Sequence, residues 1–192
     1  MAKSGDRKAQ ILQTLAEMLE APHAEKITTA ALAARIGVSE AALYRHFASK
    51  AQMYEGLIEF IESTLFSLIN RICADEPNGF EQARATAQLL LGFAERNRGM
   101  CRVLTGEVLV NEHVRLQARV NQLLDRVEAS LRQSLRIAVT QGSVTAGTET
   151  AFANLLLAAI QGRLQQFVKS GFARMPLEHW SAQWAMLARG AA

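Results

Sequence analysis

Tyr44, Arg45 and His46 stand side by side in the stretch AALYRHFASK, Ala41–Lys50, between the apolar Leu43 and Phe47. Helix packing needs only the two apolar residues. The three between them carry donors suited to an anionic partner. A phenol and an imidazole can reach phosphate oxygens, and a guanidinium can take a phosphate or the edge of a guanine. Leu43 and Phe47 lie four apart on one helical face, so Glu40, Ala41, Tyr44 and Arg45 fall largely on the others. In a helix laid in a major groove, the small Ala41 allows close approach or meets a thymine methyl.

Other chemistries find little material. Catalysis needs a clustered nucleophile, base and oxyanion donors, or metal ligands. His23, His46, His113 and His179 are dispersed, with no HExxH motif and no phosphate-cradling glycine loop. Cys73 and Cys101 lack zinc-site spacing and sit in apolar helical patterns, so both are expected to be plain core residues. No enzyme activity, metal or cofactor is expected.

The elements that must position these donors are helical. Apolar residues recur at three- and four-residue intervals, and strand signals are few. The first helix is expected over Asp6–Ala21, with Ile11, Leu15, Met18 and Leu19 on one stripe, broken by Pro22 and His23. Thr28 and Thr29 open a second, short helix that Gly37 ends. Ser39 caps a third, running to about Phe47, and Ser49 a fourth, running to about Ala74. Longer helices are predicted over Phe80–Asn97, Glu112–Gln141 and Thr148–Ser170, with shorter ones over Met100–Glu107 and Leu177–Ala188. The boundary is expected near residue 50, where short helices give way to long ones.

Ala33 and Gly37, four residues apart, have the spacing of a helix-turn-helix: the small side chain lets the next helix approach, and the glycine permits the tight connection. The helix starts near Thr28 and Thr29, and near Lys50, present free N–H groups and partial positive charge that can clamp phosphates on either side of a groove. With Ser39, Glu40, Ala41, Tyr44, Arg45 and His46 these residues make the candidate DNA-reading set. Electrostatics decides little: net charge is +3, and among residues 1–50 the bases Lys3, Arg7, Lys8, Lys26, Arg35, Arg45 and Lys50 only modestly outnumber the acids Asp6, Glu17, Glu20, Glu25 and Glu40.

No apolar run approaches the roughly 18 residues of a bilayer span, and the start MAKSGDRKAQ lacks a signal peptide's apolar stretch, so a cytoplasmic protein is expected. Aromatics beyond residue 50 mostly follow core spacing. Trp180 and Trp184, four apart, suit a core or a dimer seam better than a ligand cage.

The segment ITTAALAARIGVSEAALYRHFASK resembles the DNA-binding domain of the TetR family of repressors, over roughly residues 6–53. The resemblance implies an all-α, TetR-like fold: a three-helix helix-turn-helix DNA-binding domain, residues 1–50, then a larger helical dimerisation and partner-binding domain, residues 51–192. It implies a homodimer on palindromic double-stranded DNA. The dimer seam is expected on the last two helices of both chains, from Leu155, Leu156, Ala159 and Leu164, with Ala158, Ala159 and Gly162 permitting close approach.

LLLGFAERNRGMCRVLTGE, Leu89–Glu107, together with LIEFIE and NQLLDRVEASLRQSLR, is similar to the nucleoid occlusion factors of the SlmA type, a TetR-family branch. That likeness implies nucleoid association and, in the DNA-bound state, binding of the division GTPase FtsZ and antagonism of its polymers. By motif position it implies an FtsZ surface of Phe60, Leu89, Gly92, Arg96 and Asn97. Gly92 is expected to leave a shallow dent in a groove rimmed by Arg96 and Arg98, suited to an acidic, apolar tail. Three departures stand out: a short, weakly basic N-terminal arm, Leu68 where the pattern often has a basic residue, and Arg98 where proline is usual. The alternative is a TetR-type repressor released from its operator by a small molecule.

Overall fold

The computed structural model describes residues 4–21, 27–110 and 112–190. Among them are nine α-helices and no strand. Helix α1 spans Ser4–Met18, α2 Thr29–Ile36, α3 Glu40–Tyr44, α4 Lys50–Asp75 and α5 Gly79–Arg96. Helix α6 spans Arg98–Leu104, and a single 3-10 turn, Glu107–Leu109, follows. Helix α7 spans Val114–Thr140, α8 Glu149–Lys169 and α9 Trp180–Arg189. No described helix is long and apolar enough to cross a membrane.

The chain forms two compact units: residues 1–61 with 97–120, and residues 62–96 with 121–192. The boundary expected near residue 50 falls at the start of α4. By packing, the first unit runs on through Ile61 and takes up residues 97–120 as well.

In the first unit, local signals act as their chemistry requires. The Thr28 hydroxyl accepts the Ala31 amide at 3.1 Å, capping α2. Gly37 stops that helix in the left-handed region, φ 77°, and the Val38 amide returns to the Ala33 carbonyl at 3.0 Å. The Ser39 hydroxyl caps α3 by accepting the Ala42 amide at 3.2 Å. Ser49 accepts the Gln52 amide at 3.2 Å while the Gln52 carbonyl oxygen takes the Ala48 amide at 2.8 Å, a reciprocal cap on α4. Ile11, Leu15 and Leu19 are buried along one stripe of α1 and its following turn, with Met18 only half-buried. Pro22 and His23, the expected breakers, lie outside the described residues.

Three boundaries differ from expectation. Helix α3 ends at Tyr44, not Phe47, because the His46 and Phe47 amides both turn back onto the Leu43 carbonyl. Helix α5 ends at Arg96, leaving Asn97 as the residue before α6 rather than the last of α5. Helix α9 starts at Trp180, since residues 171–179 are a loop with Phe172 and His179 at positive φ. Arg163 clamps that loop, donating to the carbonyls of Pro176 at 3.0 Å, Met175 at 2.8 Å and Glu178.

Cys101 is buried as expected, and burial with the nearby Glu107 carboxylate pushes its thiol up to about 12, despite an opposing pull from Arg102. Cys73 is exposed instead, because the last turn of α4 runs beyond the packed part of the second unit. In that unit Trp180 and Trp184 join Phe80 and Phe152 in one cluster, with Phe80 and Trp184 centroids 5.0 Å apart. Both tryptophans are spent on the core of their own chain.

Candidate nucleic-acid interface

Helix α3 is anchored by Leu43, fully buried, and by Phe47 just past its end. Burying such side chains stabilises the unit by about 2 kcal/mol each, which fixes what the opposite face displays. That face carries Glu40, Ala41, Tyr44 and Arg45, all exposed, with Tyr44 showing 45% of its surface; His46 is half-buried beside them.

The start of α2 lies against this face. The Thr29 hydroxyl donates to the Glu40 carboxylate at 2.6 Å, and the Tyr44 hydroxyl lies 3.4 Å from Thr29 Oγ1. A phenol donor, an exposed threonine cap at Thr28 and the unpaired amides of a helix start therefore share one surface. An oxyanion placed there meets both hydroxyl donors and the positive end of α2.

Lys50 is held differently from expectation. Its ammonium pairs with Glu112 at 2.5 Å and lies 5.5 Å from the centroid of the Tyr54 ring, so it is not a free phosphate clamp. The sequence reading missed Glu112, and no local signal could have found it: the two residues are 62 positions apart.

The residues expected to meet a protein partner fall in both units. In the first, Phe60 is 49% exposed and borders a groove of about 490 Å³ lined also by Leu12, Ala16, Leu57, Asn97 and Met100. In the second, Leu89 lines a groove of about 400 Å³ between α4 and α5, with Leu68, Ile72 and Ala85; the basic groups along it are engaged, Arg84 with Glu81 at 2.5 Å and Arg71 with Asp75 at 3.4 Å. Gly92 is buried and leaves no open dent. Arg96 folds back so that its guanidinium nitrogens lie 3.4 Å from where a Cβ would stand, and Leu177 reaches to 3.6 Å.

The chain is matched over residues 11–57 by the family described as bacterial regulatory proteins, tetR family, and over residues 78–191 by the tetracyclin repressor-like C-terminal domain of SlmA-like proteins. It is 50% identical over 188 residues to the nucleoid occlusion factor SlmA of Marinomonas sp. (strain MWYL1), covering 97% of this chain and 95% of that one. It is 51% identical over 183 residues to the SlmA of Idiomarina loihiensis, covering 95% and 93%. The chain belongs to the SlmA branch of the TetR family. The fold agrees: a TetR transcriptional regulator from Chloroflexus aurantiacus superposes with a TM-score of 0.78 at 19% identity, over 98% of this chain and 96% of that one.

SlmA and TetR-family proteins are DNA-binding regulators, not enzymes, and this member is read accordingly. Its α8 needs one correction against the expected dimer seam. Leu156 and Leu164 are buried within the single chain, because they sit on the face of α8 turned to its own core. The exposed apolar stripe of this SlmA-branch chain is Leu155, Ala158 and Gly162, with Ala159 half-buried beside it.

Proposed function

We propose that the protein is a sequence-specific DNA-binding nucleoid occlusion factor that acts as a homodimer on palindromic sites and, when DNA-bound, binds FtsZ and antagonises Z-ring assembly over the chromosome. The observation that carries the DNA half is the exposed face of α3 beside the start of α2, where Tyr44 reaches within 3.4 Å of Thr29. Arg45 reads a phosphate or a guanine edge, Ala41 gives clearance, and Thr28, Ser39 and His46 complete the contacts. The two functional parts divide near residue 50, and the protein works in the cytoplasm on the nucleoid.

Half-identity over nearly the whole chain to relatives named nucleoid occlusion factor SlmA supports the division half. Phe60, Leu89, Gly92, Arg96 and Asn97 are the residues offered to FtsZ. Two of them, Phe60 and Leu89, border apolar grooves, which suit a segment with alternating apolar anchors. Contact at Gly92 requires Arg96 to swing off it, so Arg96 acts both as cover and as partner group.

Co-sedimentation of FtsZ polymers with the protein, with and without duplex DNA that it binds, tests the whole reading. The expected result is loss of pelleted FtsZ that depends on DNA and disappears in Arg96→Glu and Phe60→Asp. FtsZ polymers unaffected at any ratio, with DNA released instead by a small molecule, would establish a ligand-controlled repressor.

A further inference from the structure

Lys50 begins α4 on the flank of the reading head, where a cation is placed to meet a phosphate, yet its ammonium is occupied by Glu112 at 2.5 Å. The pair is mostly enclosed, with 20% of the Lys50 side chain and 16% of the Glu112 side chain exposed. The Tyr54 ring, 5.5 Å from the ammonium, backs it on another side. The neighbouring cation of the same segment, Arg115, is taken by Glu55 at 2.8 Å. Glu112 is thus the carboxylate that Lys50 has, and it stands where a DNA phosphate must compete for the same ammonium.

We propose that Glu112 is an internal stand-in for a DNA phosphate, an autoinhibitory counter-ion that Lys50 exchanges for the DNA backbone on binding. This rests on the reading that the face of α3 binds DNA. An exchange of one anion for another releases little net charge, so the Lys50 contact adds little affinity while Glu112 is present. Glu112 sets how readily the protein holds DNA in general, and leaves the preference among base sequences to α3.

Equilibrium binding of the full-length protein to a short duplex, chosen from a random library by the unaltered chain, tests this over a range of salt. Glu112→Gln is expected to bind about threefold to fivefold more tightly, with the slope of log affinity against log salt steeper by about 0.9, as one further phosphate is neutralised. Lys50→Gln is expected to bind more weakly, and Glu112→Gln to change nothing in the Lys50→Gln background. Glu112→Asp, which keeps the charge, is expected to behave as the unaltered chain, and circular dichroism checks that every variant is folded. Weaker or unchanged binding by Glu112→Gln overturns the proposal, as does a gain that persists without Lys50. Tyr44→Ala and Arg45→Ala separate the two readings: if neither weakens binding, the DNA face itself is misassigned, whereas a loss in both with no effect of Glu112→Gln removes only the counter-ion.

Discussion

The Thr29 hydroxyl donates to the Glu40 carboxylate at 2.6 Å, joining the first residue of α2 to the first residue of α3. The two helices meet at the Gly37 turn, and this bond ties their starts as well. Tyr44, one turn along α3, completes the set by reaching Thr29 with its hydroxyl. The face that meets DNA is thereby arranged before DNA arrives, which lowers the ordering cost of binding.

Tyr44→Phe keeps the ring and removes only the hydroxyl. Because the ring is 45% exposed and its hydrogen bond to Thr29 is long, thermal stability is expected to change by less than about 0.5 kcal/mol. Affinity for bound duplex is expected to fall about tenfold, the worth of one hydrogen bond to a charged phosphate. A melt and a fluorescence-anisotropy titration on the same sample check both parts; a fall in stability with no fall in affinity would move Tyr44 from the interface to the scaffold.

Much of the reading head was legible because its signals are local. Thr28, Gly37, Ser39 and Ser49 each act on amides or carbonyls within five residues, so residue type and spacing determine the outcome. The Lys50–Glu112 pair and the Arg102 guanidinium that donates to the Ala21 carbonyl at 2.7 Å join positions 62 and 81 residues apart, and nothing in either neighbourhood announces the other. Helix α8 failed for a different reason. Leu155, Leu156 and Leu157 are consecutive, so the apolar pattern runs round the helix and periodicity cannot choose its inner face. Gly92 looked like a dent because glycine leaves space; a flexible arginine one turn later fills it.

The thiols give a test of packing. Cys73 is exposed and Cys101 is buried with its thiol raised to about 12, so a disulfide-exchange reagent at pH 8 is expected to titrate one thiol in the native protein and both after unfolding. The sign with pH follows. The fold holds Cys101 protonated, so its contribution to stability is complete below the ordinary value of 9.0 and is lost as pH rises from there to about 12. Cys101→Ala is expected to be less stable at neutral pH through lost packing, with a flatter decline in stability above pH 9.0. Two fast-reacting thiols at neutral pH would refute the packing of α6.

Gly99 marks the closest approach of α6 to α1. A Cβ there would stand 2.1 Å from the Ala16 carbonyl oxygen and 3.0 Å from the Leu19 Cβ, and the first of these is backbone that cannot rotate away. Gly99→Ala is therefore expected to cost more than about 2 kcal/mol, at the severe end for a single overpacking change. Urea unfolding measures it. A cost within about 0.5 kcal/mol would mean that α6 and α1 are further apart than described here.

Gly162 lies in the middle of α8 with nothing within 4 Å of where a Cβ would stand, and it is exposed beside Leu155 and Ala158. In an isolated chain Gly162→Ala has no clash to meet, and the gain in helix propensity is expected to stabilise the fold by about 1 kcal/mol. A dimer seam on this stripe reverses the sign, because glycine at the crossing lets two helices approach more closely than alanine does. The two effects separate by concentration. Sedimentation equilibrium is expected to show weaker dimerisation for Gly162→Leu, and dissociation for Leu155→Asp, which places a charge in an apolar contact without touching the buried Leu156. Leu156→Ala, by contrast, is expected to lower stability by about 2 to 5 kcal/mol, since that side chain is fully buried in its own chain. If Leu155→Asp and Gly162→Leu both stay dimeric at micromolar concentration, the chains pair through another surface.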